Sequence, residues 1–124
     1  MVLDRDRLLM VRRGQPPAEG LWTIPGGRVE QGEYLDAALR REVLEETGLQ
    51  IKPGALLGIF EVVGDPHYVI LDYVATLSGS DHAVAGDDVA EVEWVPLDLI
   101  EERECTPRFV ETLTGWGVLG NVES

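Results

Sequence analysis

The chain has 124 residues, enough for one domain around one hydrophobic core. Its formal net charge of −13 sets up a field that repels nucleic-acid polymers and anionic membranes. It has no apolar run long enough to span a bilayer, no basic-then-apolar leader and a single cysteine, Cys105. No intrachain disulfide can form, and the expected compartment is a reducing cytoplasm.

Val2–Leu3 and Leu8–Val11 flank the turn-like run Asp4-Arg5-Asp6-Arg7, so the chain opens on a hairpin whose second strand runs to about Arg13. Arg12 and Arg13 end that strand and read, taken alone, as a pair of surface charges. Residues 14–20 (GQPPAEG) form a loop, Leu21 to Ile24 a short strand, and Pro25-Gly26-Gly27 bends the chain. The paired glycines allow the backbone to approach a ligand closely. Trp22 suits core packing, with a substrate contact as its other use.

Leu35, Ala38, Leu39 and Val43 follow helical spacing, and Gly48 comes where a helix ends in a left-handed residue, so the spacing predicts a helix over Tyr34–Thr47. Tyr34 is a poor N-cap. Asp36 compensates in part through the helix dipole, and a slightly frayed start is expected, with Tyr34 free to line a substrate entrance. Glu42, Glu45 and Glu46 share an arc of about 100°, with Leu39 and Val43 at its edge. Three carboxylates this close repel one another. The arc is therefore either a solvated acidic face or a site for a hard cation.

Beyond the helix, residues 50–63 are strand-rich but broken by Pro53-Gly54, and Gly64-Asp65-Pro66 is a turn signal. His67 to Leu77 (HYVILDYVATL) reads as a strong strand. A loop over Ser78–Asp88 ends in Asp87-Asp88, with Glu91 and Glu93 before Trp94. Val92 to Pro96 is a short strand and Leu97 to Glu102 a helical turn. Cys105 is read as a small packing residue. Pro107 suits the first turn of a last helix running to about Thr114, and Asn121 to Ser124 is expected to fray.

The fixed residues around the helix spell one pattern, G-x5-E-x7-R-E-U-x-E-E-x-G-U, where U is aliphatic. It is carried by Gly27, Glu33, Arg41, Glu42, Val43, Glu45, Glu46, Gly48 and Leu49. With each fixed residue at about 7 %, its chance per start position is roughly 10⁻⁹. This stretch resembles the Nudix box, the signature of the Nudix hydrolases, and matches it at every fixed position. LWTIPGG, just before it, is also similar to the family.

The resemblance implies an α/β fold, the Nudix α/β/α sandwich with a mixed, curled sheet between helices, as a single domain over 1–124. It also implies a longer first strand than the one read here. The implied reaction is metal-dependent attack of water on the pyrophosphate of a nucleoside diphosphate linked to another group. Mg²⁺ or Mn²⁺ would be held by Glu42, Glu45 and Glu46, with the Gly26 carbonyl and Asp88, although Asp88 is equally readable as a solvated loop acid. One carboxylate must accept the water's proton. Glu42 is the first choice, with Glu45 or an acid of the Asp87–Glu93 loop as rivals. Arg41, four residues before Glu45, suits an orienting ion pair, and Glu33 suits a bracing role.

Arg13, His67 and Tyr68 are the implied substrate contacts, with His67 also readable as a surface histidine. The partner is a small nucleotide, neither a nucleic-acid polymer nor a membrane, and a homodimer is compatible with the sequence. ADP-ribose or a related nucleotide sugar is the first choice of substrate, from the similarity of GLWTIPGG, HYVILDYVA and DDVAEVEWVPLD to relatives of that kind. Nucleoside triphosphates, ordinary or oxidised, come next, then dinucleoside polyphosphates. A catalytically silent nucleotide sensor is the rival class, although such modules usually carry a damaged box.

Overall fold

The computed structural model describes residues 1–120. The tail 121–124, expected to fray, lies outside the described residues. In chain order the elements are β1 (Leu3–Asp4), β2 (Arg7–Arg13), β3 (Trp22–Thr23), α1 (Leu35–Thr47), β4 (Ile51–Val62), β5 (Tyr68–Leu77), β6 (Val89–Pro96), a 3-10 helix (Leu97–Glu102) and α2 (Phe109–Gly115).

The opening hairpin forms as its turn chemistry predicts. Arg5 and Asp6 both have positive φ (52° and 60°), the two-residue turn that matches strand twist. β2 is the central strand. One edge pairs antiparallel with β1 and then β3, and the other pairs with β6 from Arg7↔Pro96 to Arg13↔Val89. That pairing makes β6 three residues longer at its start than the sequence suggested, because β2 offers hydrogen-bonding partners along its whole length. β4 and β5 form a second antiparallel ribbon, joined to the first sheet through a parallel bridge, Val2↔Ala75, and the Ala75 N–H donating to the Met1 carbonyl at 2.8 Å.

Side-chain alternation along β2 builds the sandwich. Leu8 and Met10 face one core with Val95, Ile100, Phe109 and Leu113, so the 3-10 helix and α2 cover that side. Leu9 faces the other core with Val43, Leu49, Ile51 and Ala75, so α1 covers the opposite side. The ladders are antiparallel, with parallel pairing at the Val2↔Ala75 and Trp22↔Cys105 bridges. Trp22 is buried and Cys105 packs beside its core, both in packing roles.

Two expectations change. Pro53-Gly54 does not break the strand. β4 runs through it, and the ladder absorbs the missing donor as register shifts between Pro53 and Gly58. Pro107 stands outside α2, because Arg108 at the N-cap takes a left-handed conformation (φ 64°) and the helix starts only at Phe109.

Candidate active site

α1 is set at both ends as its sequence implies. Tyr34 gives no side-chain cap, whereas Gly48 adopts the left-handed region (φ 72°) and its N–H donates to the Leu44 carbonyl. Thr47, fully buried, donates its hydroxyl to the Val43 carbonyl at 2.6 Å. The last turn, which carries Glu45 and Glu46, is therefore closed by backbone and side chain together.

The bend 25–27 lies against this turn. The Gly26 N–H donates to Glu46 Oε1 at 2.9 Å. At Gly27 a Cβ would come within 2.2–2.6 Å of the Glu42 carboxyl group, so only glycine leaves that carboxylate its place. The two glycines thus carry out separate tasks, one as a donor and one as a space. Burial pushes the Glu46 carboxyl up to about 7. The Gly26 N–H and the Arg13 charge oppose that shift, and the Glu42 and Glu45 charges add to it. Arg13 accordingly stands near the carboxylates, with its Nε donating to the Pro17 carbonyl at 2.6 Å.

Arg41 is the hub of the other half of the site. Its Nε and Nη2 grip Glu33 bidentately at 2.7 and 2.9 Å, Nη1 reaches Glu42 at 2.9 Å and Glu45 at 3.3 Å, and Nη2 also donates to the Arg28 carbonyl at 2.9 Å. Glu33 in turn accepts the Glu30 N–H at 3.0 Å, so Arg41 ties the loop before α1 to the helix face. The Arg41 hydrogen bonds, followed by that of Glu30, hold the Glu33 carboxyl down at about 2, and the same contacts raise the Arg41 guanidinium further above its ordinary value.

Asp88 arrives from the far end of the chain. Its backbone is left-handed (φ 61°), and its carbonyl accepts the Gly14 N–H at 3.1 Å, next to Arg13. The segment before it lies along the end of α1, with the Gly86 N–H donating to the Glu46 carbonyl at 2.9 Å. A Cβ at Gly86 would fall 1.8 Å from the Glu45 carbonyl oxygen. Gly86 is the position that sequence reasoning missed. Its only signal was a glycine ahead of two acids in a loop, and the close approach it permits is a long-range fact.

His67 and Tyr68 are not brought to this site by any described contact. They sit at the closed end of the β4–β5 ribbon, where the His67 ring lies 2.8 Å from Glu61. The neighbour there is Arg108, which donates to the Glu61 carbonyl at 3.4 Å and lies over the Phe60 ring. β4 meets α1 at its opposite end, where Pro53 and Gly54 line a cleft with Leu35 and Leu39.

The oxygen donors that α1 and its neighbours bring together are the Glu42, Glu45 and Glu46 carboxylates, hard oxygen ligands of the kind that suit Mg²⁺ or Mn²⁺. Burial raises the Glu46 carboxyl first, and the Glu42 and Glu45 charges add to that shift; a cation would relieve both costs. Among the described residues no three acidic, histidine or cysteine side chains are yet close enough to enclose an ion. Glu45 is exposed, and Glu42 is turned toward Arg41.

The NUDIX domain family model matches residues 1–113. The chain belongs to the Nudix family. Among curated Nudix relatives it is 35% identical over 101 residues to an ADP-ribose pyrophosphatase of Methanocaldococcus jannaschii, covering 78% of this chain and 59% of that protein. It is 30% identical over 108 residues to a putative 8-oxo-dGTP diphosphatase of Bacillus subtilis, covering 82% and 68%. This Nudix domain therefore spans less than two thirds of the length of the archaeal relative. Among solved structures, a MutT NUDIX hydrolase from Burkholderia pseudomallei superposes with a TM-score of 0.75 at 24% identity, covering 90% of this chain and 89% of that one, which places the sandwich described above in the Nudix fold.

Proposed function

We propose that this Nudix domain hydrolyses the pyrophosphate bond of a nucleoside diphosphate linked to a second group, with Mg²⁺ or Mn²⁺ as cofactor. The observation that carries the proposal is the α1 carboxylate face. Glu46 is anchored on the Gly26 N–H, Glu42 occupies the space that Gly27 leaves, and Arg41 holds Glu33, Glu42 and Glu45 in one network. A solvated acidic face needs none of these arrangements.

Glu42, Glu45 and Glu46 are the residues that would hold the metal, with the Gly26 carbonyl and Asp88 as further oxygen donors. Bound there, a divalent ion polarises phosphoryl oxygens and acidifies a water. Glu42 accepts the proton of the attacking water, with Glu45 or the Asp88 loop as rivals. Arg41 fixes the orientation of Glu42 and Glu45. Glu33 fixes Arg41, so both act through position. Arg13, whose charge already reaches Glu46, offers a guanidinium to substrate phosphate. His67 and Tyr68 remain candidates for the nucleoside end only if substrate reaches the far end of the β4–β5 ribbon.

ADP-ribose or a nucleotide sugar is the first choice of substrate, supported by the M. jannaschii relative. An oxidised nucleoside triphosphate is the second, supported by the B. subtilis relative. Small nucleotides are the partners, and the net charge of −13 argues against nucleic-acid polymers and anionic membranes. A reducing, cytoplasmic setting suits the unpaired Cys105.

The test is a pair of isosteric variants. Glu45→Gln and Glu46→Gln should each lower turnover by roughly 10²–10⁴-fold with circular dichroism unchanged. Near-normal rates in both would remove the metal-site assignment.

A further inference from the structure

Leu35 and Leu39 stand on the same stripe of α1 as Glu42 and Glu46, all four within about 60° at 100° per residue. The acidic half of that stripe belongs to the site described above. The apolar half opens on a cleft of about 370 Å³ between the start of α1 and the β4–β5 ribbon. Pro53, Gly54 and Tyr73 form its ribbon wall, and the register shift between Pro53 and Leu56 bends β4 there. Tyr34 and Asp36 stand on the helix side. Tyr34 is 83% exposed and gives the helix no side-chain cap. Glu33, gripped by Arg41 at 2.7 and 2.9 Å, immediately precedes it, so the network that orders the carboxylates also places the lip of the cleft. Along the helix axis Leu39 lies about 4.5 Å from Glu42, and Leu35 about 10 Å.

We propose that this cleft receives the sugar ring of a nucleoside diphosphate sugar while the pyrophosphate lies at the α1 carboxylates, an inference that rests on the hydrolase reading above. The cleft volume is at the lower end for pockets that take a small ligand. Its lining suits a polyol. The rings of Tyr34 and Tyr73 and the leucine side chains cover the C–H faces of a sugar, and the Asp36 carboxylate, an acceptor only, takes hydrogen bonds from hydroxyl groups. Asp36 Oδ1 already accepts the Ala37 N–H at 2.9 Å, which leaves Oδ2 to the ligand. Among the described residues no arginine or lysine lines the cleft, and Asp36 adds a negative charge, so a chain of phosphates is repelled where a neutral ring is accepted. A ring joined through one phosphate to the bond attacked matches the short step along α1 from Glu42 to Leu39. The cleft therefore separates the two candidate substrates. ADP-ribose or a nucleotide sugar places a neutral ring here, whereas a nucleoside triphosphate would place only phosphate.

The experiment has two arms. In the first, Tyr34→Ala and Asp36→Asn are compared with wild type on ADP-ribose. The first removes an exposed ring that caps nothing, and the second keeps the shape of the side chain, so the fold tolerates both. Each should raise KM by about tenfold and move kcat much less. In the second arm, the Glu45→Gln variant with Mg²⁺ is titrated by NMR, which needs no turnover. ADP-ribose should shift the Tyr34 ring and Leu39 methyl resonances, and AMP and ATP should leave them in place. A KM unmoved by both substitutions overturns the proposal, as does ADP-ribose that shifts neither resonance. Equal shifts with AMP would give the cleft to the nucleoside, and equal shifts with ATP would give it to phosphate, and either overturns it as well. A wild type that turns over nothing refutes the hydrolase reading instead, and the titration still decides the cleft.

Discussion

Replacing Gly27 and Gly86 by alanine should separate catalysis from stability within one site. At Gly86 the new Cβ falls 1.8 Å from the Glu45 carbonyl oxygen and 2.9 Å from its carbon, both backbone atoms of a closed helical turn. Neither side can yield cheaply, so the 84–88 segment must lift off α1 and its N–H bond to the Glu46 carbonyl is lost. Overpacking costs about 1–3 kcal/mol and a hydrogen bond about 1 kcal/mol, which together predict a loss of about 2–4 kcal/mol. For a domain of this size that is a fall in Tm of roughly 8–15 °C. At Gly27 the Cβ meets only the end of the Glu42 side chain, at 2.2–2.6 Å. A flexible carboxylate swings away, so Tm should fall by less than about 1 kcal/mol's worth, or roughly 4 °C. Turnover should nevertheless drop by about 10²-fold, because Glu42 leaves its place beside Arg41. Thermal melts in EDTA and steady-state kinetics on the same preparations read both effects. A Gly86→Ala melt within about 2 °C of wild type, or a Gly27→Ala variant less stable than Gly86→Ala, would refute the reasoning.

Other perturbations follow from the same network. Glu46 is held near pH 7 by burial against an ordinary carboxyl range near 4.5, so the folded, metal-free chain binds more protons than the unfolded one between those values. Its stability should therefore fall as pH rises through that window, by about 1–2 kcal/mol after solvent screening on the open side of the carboxyl, and Glu46→Gln should abolish the slope in chelator-treated melts. The same group ties metal binding to pH. Mg²⁺ affinity measured by calorimetry should strengthen from pH 5.5 to about 7.5, with proton release, and a flat profile would contradict a Glu46 ligand. Asp88→Asn should cost activity less than Glu46→Gln does, and an equal loss would raise the 84–88 loop to a principal metal-holding element. Arg13→Ala should raise KM more than it lowers kcat if its guanidinium binds substrate phosphate, and an effect on kcat alone would refute that role.

Much of this site was legible because its chemistry is local. Leu35, Ala38, Leu39 and Val43 announce the helix, Gly48 ends it, and helical geometry alone puts Glu42, Glu45 and Glu46 on one arc. The Arg41–Glu45 pair follows from spacing, and the hairpin at Asp4–Arg7 from turn chemistry. What could not be read depends on distant segments meeting. Nothing near Gly86 tells that it will lie on the Glu45 carbonyl, or that Gly14 will bind the Asp88 backbone and set that loop beside Arg13. The apparent break at Pro53-Gly54 was a local signal overridden by pairing with β5, which tolerates the proline at a bulge. Pro107 failed as a helix start for the opposite reason, because one backbone angle at Arg108 moved the boundary. Tyr68 opens the strand expected there and His67 stands one residue before it, and ribbon length carries both to its far end, about which strand propensity holds no information.

The central claim is metal-dependent hydrolysis at the α1 carboxylates. Phosphate release through a coupled phosphatase, with Mg²⁺ and then Mn²⁺, tests it most directly. The panel is ADP-ribose, ADP-glucose, nucleoside triphosphates, 8-oxo-dGTP, diadenosine polyphosphates and NADH, run with wild type and Glu46→Gln side by side. The account predicts turnover that needs the metal, stands highest on ADP-ribose or a related nucleotide sugar, and collapses in the variant. A folded, metal-loaded wild type that turns over nothing on the panel, or a variant as active as wild type, would contradict it.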